Sequence, residues 1–222
     1  MFAYKPSELN IVYFDIKTTN FGPIHGRDCV QICEIGALTH KPRKQFIPFN
    51  ENCLPFVPIN EEIGKIHGVT TQGLAETGVR PIHTVLDAFS EFIWPLPHET
   101  KTILVSHGDH KPQILMNNFK KFNCVFPKDI YYFDARKIVQ IDVERWDENE
   151  MKDFSLPSCL EYYFYDEEQE KFPSDVFNNH RSSLVDACNT YKVCKMAAME
   201  LRYLNFKDFI LSNLTELIPH IE

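Results

Sequence analysis

The chain has 222 residues, 44% hydrophobic and 24% charged, with a formal net charge of −8. This composition belongs to a globular chain with a sizeable core, and its acidic balance excludes a non-specific nucleic-acid coat while leaving room for an enzyme that grips a nucleic-acid end with a small basic patch. No apolar run reaches the roughly 20 residues that span a bilayer, no signal peptide is expected from Met1-Phe2-Ala3-Tyr4-Lys5-Pro6, and seven scattered cysteines without a Cys-x-x-Cys pair fit reduced thiols of the cytoplasm or nucleus.

The first predicted strand covers Asn10 to Ile16. It is apolar through Ile11-Val12-Tyr13-Phe14 and then presents Asp15 and Lys17, which point the same way because strand side chains alternate with period two. Charges at a buried strand tip are costly unless paired or bound to a metal. Two acids there would suggest a divalent-cation site; an acid and a base suggest that such a site has been altered. Gly22 to Asp28 is a loop by its Gly and Pro content. Val30 to Thr39, with Glu34 as its charged member, and Lys44 to Phe49 form two further strands joined as a hairpin. Asn50 to Asn60 is a proline-bearing connector, and Asn60 to Gly68 a short helix with Asn60 as cap and Gly68 as stop. Thr70 to Gly78 is turn-rich.

Pro81 to Trp94 is a helix, with Ile82, Val85, Leu86, Phe89 and Ile93 at helical spacing. Thr102 to Ser106 is a buried strand, His107 to Lys111 the loop after it, and Pro112 to Phe122 a helix. Ile130 to Phe133 is a strand, Asp134 to Gln140 a short helix or turn, and Val143 to Lys152 acidic and irregular. Ser155 to Tyr165 is helical, Asp166 to Phe177 a charged loop, Ser182 to Leu201 the longest helix and Phe206 to Leu217 the last. With no repeat, low-complexity tract or linker, residues 1–222 read as a single domain.

Candidate chemistry recurs at strand ends and helix starts: Asp15 and Lys17, His67, the loop from His107, and His180 to Asp186. In open α/β sheets such groups gather at the carboxyl ends of strands. In this order the motifs resemble the DnaQ-like DEDDh 3′-5′ exonucleases of the RNase H-like fold. The resemblance rests on Asp15-Ile16-Lys17-Thr18-Thr19, Cys33-Glu34-Ile35-Gly36-Ala37, Ile66-His67-Gly68-Val69-Thr70, Ser106-His107-Gly108-Asp109 and Asp186-Ala187. It implies an α/β, RNase H-like architecture: a mixed five-stranded sheet flanked by helices.

The family holds two divalent cations, Mg²⁺ or Mn²⁺, on four carboxylates, with a histidine as general base. Here only Asp15 and Asp186 stand in register. Lys17 replaces one acid, Pro112 another, and Arg181 stands where the histidine belongs, with His180 one residue further back. The resemblance therefore runs to catalytically impaired members, such as Exuperantia and the exonuclease-like domains related to the PML protein. These would bind single-stranded RNA or DNA, or a protein partner or second copy, rather than cut. The implied remnant site comprises Asp15, Lys17, Asp109, His180 and Asp186, with His67, His107, Lys111 and Arg181 toward a nucleic acid. No cofactor is expected, or Mg²⁺ or Mn²⁺ on Asp15 and Asp186 if the site is active.

Alternatives stand beside these roles. Lys17 either neutralises Asp15 and Asp186 in place of a metal or swings out to solvent on its flexible stem. Asp109 either replaces the missing carboxylate or caps the following helix. His180 is a shifted base, about 100° around a helix, or a surface or capping histidine. His67 is most simply a turn residue, and Glu34 a structural ion-pair partner or substitute acid beside Lys17. His25, Cys29 and Cys33 sit at helical spacing in a loop-then-strand stretch, which suits zinc poorly. Tyr162-Tyr163-Phe164-Tyr165 pack in the core or stack bases.

Overall fold

The computed structural model describes residues 9–20, 30–40, 46–94, 101–146, 151, 153–164 and 182–217. Strand β1 (Leu9–Thr18) lies at the centre of a mixed sheet. It pairs antiparallel with β2 (Ile32–His40) and parallel with β5 (Lys101–Ser106). Beyond β2 come β3 (Phe46–Leu54), antiparallel, and the two-residue β4 (Arg80–Pro81). Beyond β5 lies β6 (Ile130–Asp134), parallel, so the order is β4-β3-β2-β1-β5-β6. The sheet thus has six strands rather than five, because the two residues before the first long helix pair with Cys53 and Leu54.

Both faces of β1 are covered, which explains its continuous apolar run. Val12, Phe14 and Ile16 face a core built with α3 (Ile82–Ile93) and α4 (Lys111–Lys121). Leu9, Ile11 and Tyr13 face the other core, built with α5 (Arg136–Trp146), α6 (Leu156–Phe164), α7 (Ser183–Glu200) and α8 (Phe206–Leu217). Period two places Asp15 and Lys17 on this second face, beneath the start of α7. A smaller cluster joins Cys33 and Ile59 to Ile63 of α1 (Glu61–His67) and Leu74 of α2 (Thr71–Glu76).

Two details set how helices approach the site. Gly36 pairs with Asp15 across the β1–β2 ladder. A Cβ there would lie 2.0 Å from the Leu184 amide nitrogen, so the missing side chain lets the α7 backbone rest directly on β2. On the opposite face, buried Asn118 of α4 accepts from the Ile32 amide (3.2 Å) and donates to the Val30 carbonyl (3.1 Å). It thereby satisfies backbone groups where the chain enters β2.

Several expectations are corrected. β3 continues through Leu54, because Glu51 and Asn52 pair with Ile35 and Glu34 despite their polar character. Thr70 to Gly78 contains helix α2, capped by the Thr70 hydroxyl accepting from the Gly73 amide. The acidic stretch after Val143 does not start as irregular chain: α5 runs to Trp146, burying Ile138, Val139, Asp142 and Val143. Asp142 is tolerated inside because it accepts from the Tyr163 hydroxyl at 2.7 Å. The short helix from Glu61 begins on the Asn60 side chain and ends at Gly68 with φ 74°, as its residue types require. The charged loop from Asp166 to Phe177 lies outside the described residues.

Because Gly36 meets helix backbone rather than a movable side chain, Gly36→Ala is expected to cost about 3 kcal/mol, the upper range for overpacking. A urea unfolding midpoint close to that of the unchanged chain would show that α7 can lift off the sheet.

Candidate functional site

The carboxyl ends of β1, β5 and β6 and the starts of α4, α5, α6 and α7 surround a cleft of about 760 Å³. Asp15 lies on its floor, 2% exposed. Lys17, two residues along the same strand, sends its ammonium back to Asp15 Oδ2 at 3.2 Å and also onto Asp186 Oδ2 in the first turn of α7. Lys111, the first residue of α4, reaches the other oxygen, Asp15 Oδ1. Each oxygen of Asp15 therefore has its own ammonium, and Lys17 bridges both acids.

Burial pushes Asp15 up, but the ammoniums of Lys111 and Lys17 outweigh it and hold its pKa below the usual carboxylate value. Asp186 is shifted the other way, by burial and then by the charge of Asp15, which Lys17 only partly offsets. Burial pulls Lys17 down, but the carboxylates of Asp15 and Asp186 more than reverse this and raise its pKa. It stays charged at neutral pH.

A second ion-pair group closes the cleft wall at the end of β6. Asp134 Oδ1 accepts from the amides of Gly108 (3.1 Å) and Arg136 (3.0 Å). Its Oδ2 accepts from Arg136 Nε (2.9 Å) and Nη2 (2.6 Å). Burial raises Asp134, yet these donors leave its pKa below the usual value. Gly108 takes φ 112°, a conformation that residues with a side chain rarely adopt, and its carbonyl accepts from the hydroxyls of Tyr132 and Ser106.

The remaining candidate residues separate clearly. Asp109 is neither helix cap nor cleft carboxylate: its side chain is 78% exposed and pairs with Arg136 Nη2 at 3.0 Å, while His110 occupies the cap position of α4 without a side-chain bond. His67 is turned inward and is not among the cleft-lining residues. Its ring is buried, Nε2 lies 3.1 Å from the Thr18 carbonyl, and Nδ1 accepts from the Val69 amide at 3.2 Å. It pins α1 to the end of β1 as a neutral ring, its pKa lowered chiefly by burial. His107 lines the cleft but is itself buried, with Nε2 2.7 Å from the Phe154 carbonyl. Burial pushes its pKa down to about 4, so it is neutral at pH 7. Glu34 is no ion-pair partner: it accepts from the Ser183 amide (2.6 Å) and Ser182 hydroxyl (3.2 Å), tying β2 to the start of α7. Burial nevertheless raises its pKa. His180, Arg181, His25, Cys29 and Tyr165 lie outside the described residues. Cys33 is buried in the α1–α2 cluster, and Tyr162, Tyr163 and Phe164 pack against the core.

Sequence reasoning missed the engagement of Lys111 with Asp15 and missed Arg136 and Asp134 altogether. Phe133-Asp134 repeats the pattern of Phe14-Asp15, an aromatic then an acid at a strand end, and that repetition was the available signal.

A divalent cation needs oxygen ligands with free lone pairs. Both oxygens of Asp15 face ammoniums, and Asp186 shares one of them, so this donor set does not fit such an ion. No group of three or more His, Cys, Asp or Glu among the described residues is placed to hold a metal. The ion pairs themselves have a definite stability cost of removal. Lys17→Met leaves two buried acids short of a counter-charge and is expected to cost about 3 kcal/mol at neutral pH. Because the Lys17 pKa is raised, its contribution is complete below about pH 10.5 and lost as pH rises through the folded value. Urea titrations from pH 7 upward should show the gap between the two proteins closing only above that point; a gap that is absent at pH 7 would mean that Lys17 contributes nothing.

No protein-family model matches the chain, and no protein of curated function matches it in sequence. Solved structures do match its fold. Cell-death related nuclease 4 is similar with a TM-score of 0.67 at 13% identity, over 89% of this chain and 66% of that one, so the chain spans just under two thirds of that nuclease. A 3′-exonuclease described in 3′-end specific recognition of a histone mRNA stem-loop is similar with a TM-score of 0.61 at 14% identity, over 94% of this chain and 84% of that one. Among the described residues no helix is long and apolar enough to cross a membrane. The chain thus has the mixed α/β, RNase H-like fold of 3′-exonucleases, at an identity that speaks for fold alone.

Proposed function

We propose that this chain is a single exonuclease-like domain, impaired in metal-dependent cleavage, that acts by holding single-stranded nucleic acid in the cleft above Asp15. The observation that carries the reading is the Lys17 ammonium lying between Asp15 and Asp186, the two acids left in register from the DEDDh pattern. An ammonium that already bridges both carboxylates weakens the reason for a cation to bind there. The exonuclease-like fold and the names of its structural neighbours, a nuclease and a 3′-exonuclease described in 3′-end specific recognition of a histone mRNA stem-loop, support the class of ligand. Of the other described acids near the site, Glu34 caps α7, Asp109 faces solvent, and Asp153, which also lines the cleft, accepts from the Ser155 amide at 2.7 Å.

One observation favours a second reading, a protein-interaction module. Among the cleft-lining residues, Lys17, Lys111 and Arg136 are matched by Asp15, Asp153 and Asp186, so the floor carries little net positive charge for phosphates. A salt titration separates the two, because phosphate contacts weaken steeply as salt rises.

The decisive experiment incubates labelled single-stranded RNA and DNA with the chain and Mg²⁺ or Mn²⁺. The expected result is no shortening, together with a complex that survives EDTA and weakens with salt. Metal-dependent trimming from the 3′ end that disappears in Asp15→Ala would sink the impaired reading. Absence of any complex at low salt would transfer the function to a protein partner.

A further inference from the structure

Lys17 alone accounts for only part of the site's charge balance. Lys111 comes from a different element, the first residue of α4, and its side chain is only 16% exposed. That position is electrostatically adverse. Helix starts favour anions, and α4 has neither a side-chain cap nor an acid in its first turn. What compensates the ammonium there is Asp15, whose Oδ1 it engages while Lys17 takes Oδ2. Two carboxylates and two ammoniums then sum to zero without any metal. Other charges near them have partners of their own, Glu34 on the start of α7, Arg136 on Asp134 and Asp109, and Asp153 on the Ser155 amide.

We propose that Lys17 and Lys111 form a built-in cation pair that excludes divalent metal from the Asp15–Asp186 site redundantly, so that removal of either lysine by itself leaves the site closed. The inference rests on the reading of this cleft as an altered exonuclease site. Its logic is geometric. With Lys17 replaced, Lys111 still covers Asp15 Oδ1. With Lys111 replaced, Lys17 still bridges both acids. Only when both ammoniums leave do Asp15 and Asp186 regain free oxygens, and a carboxylate at position 17, on the face shared with Asp15, then adds a third. Such an oxygen set suits Mn²⁺ or Mg²⁺.

The test is calorimetric titration of Mn²⁺ into the full chain, unchanged and as Lys17→Glu, Lys111→Gln and the double variant. The double variant is expected to bind Mn²⁺ at least about tenfold more tightly than either single variant, with a matching rise in its melting temperature. If Lys17→Glu alone binds as tightly as the double variant, Lys111 is a bystander and the proposal falls. A folded double variant that binds no more tightly than the singles also overturns it. Should the double variant fail to fold without metal, K17Q/K111Q provides the same comparison through melting temperature: Mn²⁺ is expected to stabilise it more than K17Q or K111Q, and equal shifts overturn the proposal. The trimming assay on the unchanged chain needs no variant. It therefore judges the functional reading separately from this one.

Discussion

Asp15 is a buried carboxylate on the central strand of the sheet, and most of what surrounds it exists to keep it charged there. An unpaired buried ion costs several kcal/mol. Its two oxygens are answered from two directions, by Lys17 of its own strand and Lys111 of α4, and Lys17 carries the connection on to Asp186 of α7. These ion pairs join one strand and two helices that pack on opposite faces of the sheet. They hold because the apolar packing beneath them is already complete: Phe14 and Leu104 on one side, Tyr13 and Val105 on the other.

The close approach of α7 is the second half of the same constraint. Lys17 can reach Asp186 because the α7 backbone rests on Gly36, directly beside Asp15 in the ladder. Glu34 then anchors the same helix end by accepting from the Ser183 amide. An acid at a helix start is favourable twice over, as an acceptor for unpaired amides and as a charge opposite the macrodipole. In this chain that acid holds the helix, and the acid that faces the cleft, Asp186, is the one the lysine neutralises.

The Asp134–Arg136 group at the neighbouring strand end obeys a simpler rule. Asp134 spends both oxygens on local amides and one guanidinium, which orders the turn from β6 into α5 and holds Gly108 after β5. It is a structural ion pair that contributes the cleft wall, whereas Asp15 and Asp186 face the opening. Two similar dipeptides, Phe14-Asp15 and Phe133-Asp134, thus end in different uses because different partners lie within reach.

Periodicity, capping residues and proline placement determined most of the architecture without any tertiary information. The buried central strand, the Asn60-to-Gly68 helix, and the helices from Pro81, Pro112, Ser182 and Phe206 follow from local signals that short-range sterics enforce. The anomaly at Lys17 was equally legible, since period two alone puts it beside Asp15. Other features were decided only when the chain closed. Lys111 and Asp15 are 96 residues apart, and nothing local tells a loop lysine which acid it will meet. His67 and Glu34 looked available as polar residues near the site, and tertiary hydrogen bonds to Thr18, Val69, Ser182 and Ser183 consumed them. Asp109, nearest in sequence to the missing carboxylate, turned outward to Arg136. The reason is the same in each case. Residue type sets what a side chain can bond to, but the partner it finds depends on distances that only the packed sheet and helices create.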